Sequence, residues 1–520
     1  MRECGITFRH TDGSSGQRYI IESMTGGVAL FDYDNDGDLD VHFLNGAPLR
    51  GSSTAETPVD GLYRNDGQWQ FSEVTGPAGV GDRGYGMGVA VADFDNDGFA
   101  DVYVNNFGPN TLYRNNGDGT FQDVSQVSGV TNGDRVGAGI CFLDIDGNGD
   151  LDLYVGNYLQ FSYEKHKPHT YMGLPSYPSP LNYAPDPDTV FRSNGDGSFA
   201  DVTVESGIAG YAENTMGTVC ADYDDDGDTD IFVANDVQAC SLYQNDGKGH
   251  FIDTAILAGV AYDMAGTPHG NMGVDAGDFD NDGLVDFHVT SYAGELAVLF
   301  RNLGQGIFED VTRTSGAGQG TLPHVTWGNA VGDFDNDGHR DLFIACGHVD
   351  DNVEQRDDTT AYHVPNILLR NTGQGTFVDV SRTSGEGMLV SLSSRGAALG
   401  DLDQDGDLDI VVQNSRREPT ILRNESTAAN HWLRVCLRGV RASRDGVGAK
   451  VRVTAGDLVQ VDEVRSGRGY QSHFDLGLHF GLRDRQQVDC IEVRWLGGAI
   501  DRVTNVRADR TVVITEGSGR

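Results

Sequence analysis

The 520-residue sequence has few basic residues and no long apolar run. It contains 37 Lys and Arg against 78 Asp and Glu, which gives a formal net charge of −41. A field of this sign repels the phosphates of nucleic acids and the headgroups of anionic lipids. No apolar stretch approaches the roughly 20 residues that a membrane-spanning helix needs. Nucleic acid and membrane surfaces are therefore not expected as partners.

Disulfide-forming and targeting patterns are also missing. The seven cysteines are odd in number and form no CxxC pair, which argues against a disulfide framework and a zinc ribbon. Residues 1–4 lead into a strand-like sequence without the apolar region of a signal peptide. The chain as given is predicted to be cytoplasmic, or secreted if a leader was removed. No GxSxG, HExxH or P-loop motif is present.

A nine-residue acidic loop, Asp-x-Asp-x-Asp/Asn-Gly-x-x-Asp, occurs seven times in the sequence. The copies begin at Asp32, Asp93, Asp144, Asp222, Asp278, Asp333 and Asp401. An apolar, Gly-rich strand precedes each loop and an alternating strand follows it, as at residues 88–92 and 101–104. Further on, most units carry an aromatic residue or Leu, Arg/Gln-Asn/Ser, a Gly turn and Phe, which predict two more strands. This repeat predicts an all-β, seven-bladed β-propeller over residues 1–425.

The two ends of the chain depart from the repeat. The seventh unit reaches Leu422-Arg423-Asn424 but lacks the Gly turn and the Phe strand, while the N-terminus offers a strand near residues 5–8. We therefore expect residues 1–15 to complete blade seven and close the ring. From about Asn430 the periodicity ends, and the alternating runs up to residue 520 predict a separate small β-sandwich over residues 430–520.

Each acidic loop is predicted to bind one structural Ca²⁺, about seven in all. Side chains at positions 1, 3 and 5 and the Asp at position 9 supply oxygens, position 7 supplies its carbonyl, and Gly at position 6 permits the sharp bend. The predicted ligand residues are Asp32, Asp34, Asp36, Asp38 and Asp40; Asp93, Asp95, Asp97 and Asp101; Asp144, Asp146, Asn148, Asp150 and Asp152; Asp222, Asp224, Asp226, Asp228 and Asp230; Asp278, Asp280, Asp282 and Asp286; Asp333, Asp335, Asp337 and Asp341; Asp401, Asp403, Asp405, Asp407 and Asp409. Mg²⁺ is less suitable because it resists dehydration and takes fewer protein ligands.

These motifs resemble a known family almost end to end. The loop and strand pattern up to about residue 425 is similar to the FG-GAP or VCBS-type propeller, which integrin α subunits also contain. The tail, with motifs at residues 431–434, 443–449, 467–470, 478–482 and 493–495, resembles the ASPIC/UnbV domain. Together they resemble the cartilage-acidic-protein-like family. That resemblance implies secreted or adhesion-associated proteins on one side and proteins linked to enediyne biosynthetic clusters on the other.

The face of the ring opposite the acidic loops holds the residues predicted to carry function. Residues that enter first strands or leave second strands meet there, together with the longest insertions, at 45–61, 158–188 and 347–365. Loops grouped at one end of a rigid scaffold commonly form ligand sites. The candidate catalytic residues are His269, His324, His348, Asp350 and His363. They could act as general acid and base, ligate an additional metal, or simply be hydrogen-bonded channel residues.

Two functional hypotheses follow from this face. The first is an intracellular enzyme of natural-product biosynthesis, a cyclase, isomerase or lyase, that uses acid/base chemistry on a small-molecule substrate. The alternative is a non-catalytic, calcium-dependent module that binds a protein or a glycan there.

Overall fold

The computed structural model describes residues 4–53, 58–426 and 429–519. Residues 1–3 of the predicted closing strand and residues 54–57 of the first insertion lie outside the described residues. Strands dominate the described part, and its α-helices α1 to α4 are single turns: Thr75–Ala78, Ser125–Ser128, Ala255–Ala258 and Thr312–Ser315. Short 3-10 helices lie at Ile20–Ser23, Pro180–Asn182, Ile208–Gly210, Val353–Gln355 and Glu386–Leu389. The prediction of an all-β propeller is confirmed.

Every acidic loop joins the first and second strands of an antiparallel unit. The strands of units one to four are β1 (Val28–Phe31), β2 (Asp40–Phe43), β3 (Gly61–Asn65) and β4 (Phe71–Glu73); β5 (Tyr85–Ala92), β6 (Asp101–Gly108), β7 (Thr111–Asn115) and β8 (Phe121–Asp123); β9 (Arg135–Leu143), β10 (Asp152–Asn157), β13 (Thr189–Ser193) and β14 (Phe199–Asp201), with β11 (His169–Tyr171) and β12 (Leu174–Ser176) in the insertion; β15 (Thr215–Ala221), β16 (Asp230–Gln238), β17 (Ser241–Asn245) and β18 (Phe251–Asp253). The strands of units five to seven are β20 (Val274–Gly277), β21 (Asp286–Val289), β22 (Val298–Asn302) and β23 (Phe308–Asp310), preceded by β19 (His269–Gly270); β24 (Thr326–Gly332), β25 (Asp341–Cys346), β27 (Ile367–Asn371) and β28 (Phe377–Asp379); β30 (Ser394–Gly400), β31 (Asp409–Asn414) and β32 (Thr420–Leu422), with β26 (Val364–Pro365) pairing β29 (Ser391–Leu392).

The first strands of the units form a closed ring. β1 contacts β5, the contacts continue through β9, β15, β20 and β24 to β30, and β30 contacts β1. The described residues thus contain seven units around one axis. Because every acidic loop joins a first strand to a second strand, all of the loops lie on one face of the ring.

Neighbouring units pack through apolar side chains that lie between their sheets. Between units four and five, the rings of Phe232 and Phe287 have centroids 4.6 Å apart, and Phe300 and Phe308 belong to the same cluster. A first strand is covered on both faces by the units beside it. This is why β5 is buried along its whole length and does not alternate between apolar and polar residues.

The N-terminal segment differs from its prediction. Unit seven has three strands, and residues 5–15 contain no strand. The segment instead lies between units seven and one, where Phe8 stacks on Phe43 with ring centroids 4.9 Å apart and the His10 N–H donates to the Arg417 carbonyl at 3.0 Å. Its buried side chains, Ile6 and Phe8, contribute to the core that both units share. It therefore joins the two ends of the ring through side chains and isolated hydrogen bonds, without a strand ladder.

The C-terminal part forms two further sheets that share one core. Its strands are β33 (His431–Arg438), β34 (Lys450–Ala455), β35 (Leu458–Glu463), β36 (Leu478–Arg483), β37 (Gln487–Arg494), β38 (Ile500–Arg507) and β39 (Arg510–Thr515). One sheet has the order β36-β33-β39 and the other β35-β34-β37-β38. Val435, Phe480, Val453 and Ile491 from the two sheets belong to one buried cluster. In the described part of the chain, no helix is long and apolar enough to cross a membrane.

Candidate functional site

The acidic loops owe their shape to hydrogen bonds between their own backbone and the first Asp. In the first loop, Asp32 accepts the Asp36 N–H at 3.1 Å and the Gly37 N–H at 2.9 Å. Asn35 at position 4 and Gly37 at position 6 have φ values of 60° and 96°, the left-handed region that Asn and Gly tolerate best. The Asp36 carboxylate accepts the Asp38 N–H at 2.9 Å. Positions 1 and 5 are thus engaged by the turn itself.

Position 3 lacks such a partner in every loop but the fifth, where Asp280 accepts the Asp282 N–H at 3.2 Å. In six loops its buried Oδ1 lacks a hydrogen-bond partner: Asp34, Asp95, Asp146, Asp224, Asp335 and Asp403. In the fifth loop, Asp280 pairs with Arg301 through Oδ2 at 2.9 Å from Nε. In the loops that begin at Asp32, Asp93, Asp144, Asp222 and Asp278, three carboxylates each offer an oxygen within 4.8 Å of the other two. A buried oxygen without a donor is unfavourable, and these oxygen clusters fit a hard cation such as Ca²⁺.

Position 9 has a second role that the sequence motif does not reveal. The Asp40 carboxylate accepts the Tyr33 N–H of its own loop at 2.9 Å and the Asn65 N–H of the third strand at 2.7 Å. Equivalent bonds to the third strand recur in all units, at Asp101, Asp152, Asp230, Asp286, Asp341 and Asp409. Burial raises the pKa of Asp40, Asp152 and Asp409 to about 8. This Asp therefore fastens the loop to the sheet in addition to facing the cluster.

The Asn of the Arg/Gln-Asn motif links neighbouring units. Asn115 in unit two donates from Nδ2 to the Tyr33 carbonyl in the loop of unit one at 2.8 Å, and Asn302 makes the same bond to Tyr223 at 2.8 Å. Unit three has Ser193 at this position. Sequence inspection found the motif but assigned it no role beyond strand three.

The C-terminal sheets cover the acidic loops. Asp445 accepts the Asp93 N–H at 2.9 Å, and Glu463 accepts the Asp222 N–H at 3.2 Å. Lys450 Nζ lies 2.8 Å from an Asp225 oxygen. Backbone donors and carboxylates of several loops therefore have their partners in the C-terminal sheets, and this face of the propeller is an intramolecular interface.

The segment at residues 466–474 enters the centre of the ring. The Gly469 N–H donates to the Val274 carbonyl at 2.8 Å, and the His473 N–H donates to the Val28 carbonyl at 3.0 Å, so the segment bridges first strands of different units. Tyr470 is fully buried and donates from its hydroxyl to the Met24 carbonyl at 2.7 Å. We call residues 466–474 the plug, because they fill the channel between the first strands.

A cavity of about 470 Å³ lies on the face opposite the acidic loops. Its walls come from the segment before β1, from the insertion at 158–188 and from the ends of second strands. Its lining side chains include Met24, Tyr158, His169, Tyr171, Tyr177, Asp236, Met272, Tyr292, Ala293, Glu295, His348, Asp350, Arg356 and Asp357. The wall is largely apolar and aromatic with a few polar groups, the usual composition of a small-molecule site.

Two of the five predicted catalytic residues line this cavity, His348 and Asp350. The His348 Nδ1 accepts the Asp350 N–H at 2.9 Å, so the neutral ring carries its proton on Nε2. Burial lowers the pKa of His348 to about 4, which keeps the ring neutral near pH 7.

Asp350 fastens the insertion and is not a free base. Its carboxylate contacts Arg356 and accepts the Ser176 hydroxyl at 2.7 Å and the Tyr177 N–H at 3.2 Å. These bonds tie the unit-six loop to the 158–188 insertion. The wall of the cavity is therefore anchored by a charged group with several partners.

The other three predicted residues do not line the cavity. His269 lies 3.3 Å from Asp263 and 3.3 Å from Ser291, and His324 lies 3.3 Å from Thr360. His363 packs against the ring of Tyr362 with centroids 4.8 Å apart. Each is held by a local partner, so the structure does not bring the four histidines together.

Comparison with known proteins places the repeat in a family. The profile described as "FG-GAP-like repeat" matches residues 32–104, 95–155, 222–289, 278–344 and 333–412. The chain belongs to the FG-GAP-like repeat family. A second profile, described as "ASPIC and UnbV", matches residues 439–520, which include most of the C-terminal sheets and the plug. The repeat matches stop at residue 155 and resume at 222, and the cavity-forming insertion lies between them.

Curated relatives extend over most of the chain. The chain is similar to cartilage acidic protein 1 of Mus musculus, with 26% identity over 91% of this chain and 70% of that protein, and of Homo sapiens, with 26% identity over 91% and 69%. Among solved structures, the BP39L lectin from Burkholderia pseudomallei matches with 11% identity and a TM-score of 0.44, over 76% of this chain and 95% of that one.

Sequence reasoning did not select Asp236, Glu295 and His169 as functional residues, although all three line the cavity. Asp236 follows Asn235 near the end of β16, and Glu295 lies in the turn after β21. The rule that second strands end on this face points to Asp236. Glu295 in its turn and His169 in β11 of the insertion lie farther from the repeat, where spacing gives no signal.

Proposed function

We propose that this protein is a calcium-stabilised β-propeller that binds a small organic molecule in the cavity opposite its acidic loops. The observation that carries the proposal is the cavity itself, about 470 Å³ between three converging loop systems with an apolar wall and few polar groups. Its wall is held in place by the Asp350 contacts to Arg356, Ser176 and Tyr177. A preformed wall of this kind favours binding, because little ordering remains to be done when the ligand enters.

Calcium is the structural part of the proposal. It is supported by the unpartnered position-3 oxygens of six loops and by the oxygen clusters of the loops that begin at Asp32, Asp93, Asp144, Asp222 and Asp278. Elemental analysis of the purified protein should give about seven Ca²⁺ per chain, and a chelator should lower the melting temperature because the ions bind the folded state. As a control, Mg²⁺ is added to the metal-free protein, and it should restore less thermal stability than Ca²⁺ does. An unchanged melting temperature after verified removal of all divalent ions would show that the loops need no metal.

The ligand-binding part is tested by filling the cavity. A fragment library screened by ligand-observed NMR should yield compounds whose binding is lost in Ala293→Trp, which places a large ring inside the cavity. Val204→Trp is the matched control because Val204 is 84% exposed and does not line the cavity. If no compound distinguishes the two variants, the cavity is not a binding site. A calcium-containing glycan array would test the alternative that a glycan occupies this face.

An acid/base enzyme is the second candidate, favoured by the presence of the neutral ring of His348 and the carboxyl of Asp236 in the lining of one cavity. Burial raises the pKa of Asp236 to about 7, in the range where a carboxyl group can give and take protons. A cyclase, isomerase or lyase could use such a pair. Cell extract incubated with the protein should then show product signals that vanish in His348→Gln and Asp236→Asn, and signals that survive in both variants would rule the pair out. An additional metal at the histidines stays a prediction.

A further inference from the structure

The cavity has an uneven distribution of charge. Of its lining acids, Asp350 contacts Arg356 and also lies 3.6 Å from Arg18. Asp357 is partly exposed and accepts the Thr359 N–H at 2.8 Å. Asp236 and Glu295 remain, and among the described residues neither forms an ion pair with Lys or Arg. Two acidic groups of the cavity therefore lack a Lys or Arg partner, and the basic group that acts on Glu295 is the imidazole of His269.

These two acids lie on either side of Gly270. Asp236 is the strand partner of Gly270 between β16 and β19, and the Gly270 N–H donates to Glu295 Oε2 at 2.8 Å. A Cβ atom at Gly270 would meet Tyr292 Cβ at 2.9 Å and Asp236 Oδ1 at 3.2 Å. The absence of a side chain here is what lets Tyr292 and Asp236 approach each other in one corner of the cavity.

Aromatic rings complete that corner. The Tyr158 hydroxyl donates to Asp236 Oδ2 at 2.6 Å, and both Tyr158 and Tyr292 line the cavity. Farther along the wall, Arg356 lies over the ring of Tyr171 at 5.3 Å and Arg18 over Tyr177 at 5.4 Å. Those two rings are already paired with internal cations, whereas Tyr158 and Tyr292 stand beside the two carboxyl groups that have no Lys or Arg partner. We call Tyr158, Asp236, Tyr292 and Glu295 the acidic corner.

We propose that the acidic corner binds the ammonium group of an organic cation, with the apolar part of that ligand against Met24 and Met272. This inference rests on the proposed function, since it needs the cavity to hold a ligand. A cation here would favour the ionised form of Asp236 and would gain from the charge of both carboxylates and from the neighbouring rings of Tyr158 and Tyr292. It would also supply a counter-charge to the buried Asp236, which no neutral ligand can do.

The test compares two soluble probes of nearly equal shape, choline and its uncharged isostere 3,3-dimethyl-1-butanol, by saturation-transfer NMR. We expect choline to bind at least tenfold more tightly. The double variant Asp236→Asn with Glu295→Gln should lose at least tenfold in choline affinity, and Tyr292→Leu should weaken choline without any change in charge. Asp196→Asn is the control, because it removes one carboxylate from an exposed turn far from the cavity lining. Circular dichroism and the melting temperature show that each variant is folded.

The outcomes separate the two proposals. If both probes bind equally and Ala293→Trp abolishes both, the cavity binds ligands and the preference for a cation is wrong. If neither probe binds, the cation proposal is overturned, while the fragment screen decides on the cavity independently. If choline binds equally well to the double variant and to the wild type, the acidic corner is not the site.

Discussion

Replacement of Tyr470 in the plug should destabilise the propeller and the C-terminal sheets together. The side chain is fully buried, its ring centroid lies 5.0 Å from that of Trp327 in an edge-on arrangement, and its hydroxyl donates to Met24 at 2.7 Å. Tyr470 and Trp327 share a buried cluster with Met24, Met272 and Tyr158, which line the cavity. The plug is therefore the layer beneath the floor of the cavity.

The expected magnitude follows from these contacts. Removal of a buried aromatic side chain costs about 3–5 kcal/mol, so Tyr470→Ala should lower the free energy of unfolding by that amount. Tyr470→Phe keeps the ring and loses one hydrogen bond, which should cost about 1 kcal/mol. Tyr262→Ala is the control, since Tyr262 is 39% exposed and its loss should cost less than about 0.5 kcal/mol.

Urea denaturation of the full chain in excess Ca²⁺, followed by tryptophan fluorescence, measures these differences. Tyr470→Ala should also weaken any cavity ligand, because Met24 and Met272 lose their support. A loss below about 1 kcal/mol in Tyr470→Ala would refute the reasoning, because it would mean that the plug leaves the ring at little cost.

Three further predictions concern the loops and the insertion. Asp95→Ala should remove one Ca²⁺ per chain in elemental analysis and lower the melting temperature, whereas the exposed Asp118→Ala should change neither. Asn302→Ala removes bonds of 2.8 and 3.0 Å to the Tyr223 and Val285 carbonyls, and urea titration should show a loss of about 2–3 kcal/mol, compared with less than about 0.5 kcal/mol for the exposed Asn194→Ala. Burial raises the pKa of Asp188 to about 7. The pKa of an aspartate in the unfolded chain is about 3.9. Between that pH and the raised pKa of Asp188, only the folded state keeps the carboxyl protonated, so the stability from Asp188 is lost as pH rises from about 4 to 7. In the wild type this loss lowers the free energy of unfolding by up to about 4 kcal/mol between about pH 4 and 7, and Asp188→Asn should not show it. Parallel pH profiles of the unfolding free energy for the two proteins would contradict the assignment.

The propeller could be predicted from the sequence because each unit encodes its geometry locally. The Gly at position 6 and the Asn or Gly found at position 4 of most loops meet the need for a left-handed backbone, and the buried first strands are recognisable as apolar runs. The strand predicted at residues 5–8 does not form. Ile6 and Phe8 bury their side chains in the core shared by units one and seven, and this does not require ladder hydrogen bonds.

The sequence predicted the face on which the cavity lies but not the set of residues that forms it. The rule that second strands end on the face opposite the loops located the cavity, and His348 and Asp350 lie there. The rule cannot tell which side chains on that face turn toward one another, because this depends on contacts such as Asp350 with Ser176, which are 174 residues apart. The plug was equally out of reach, since nothing in residues 466–474 indicates that they cross into the ring.

The contact between the acidic loops and the C-terminal sheets limits where an external partner can bind. Asp93 and Asp222 donate their N–H groups to Asp445 and Glu463, and the plug continues from the same sheets into the channel. A partner on the loop face would have to displace these bonds and withdraw Tyr470 from its buried position. A ligand in the cavity displaces none of them. The opposite face is therefore favoured for binding, because the C-terminal sheets already cover the loop face. The order of the strands alone does not predict this cover.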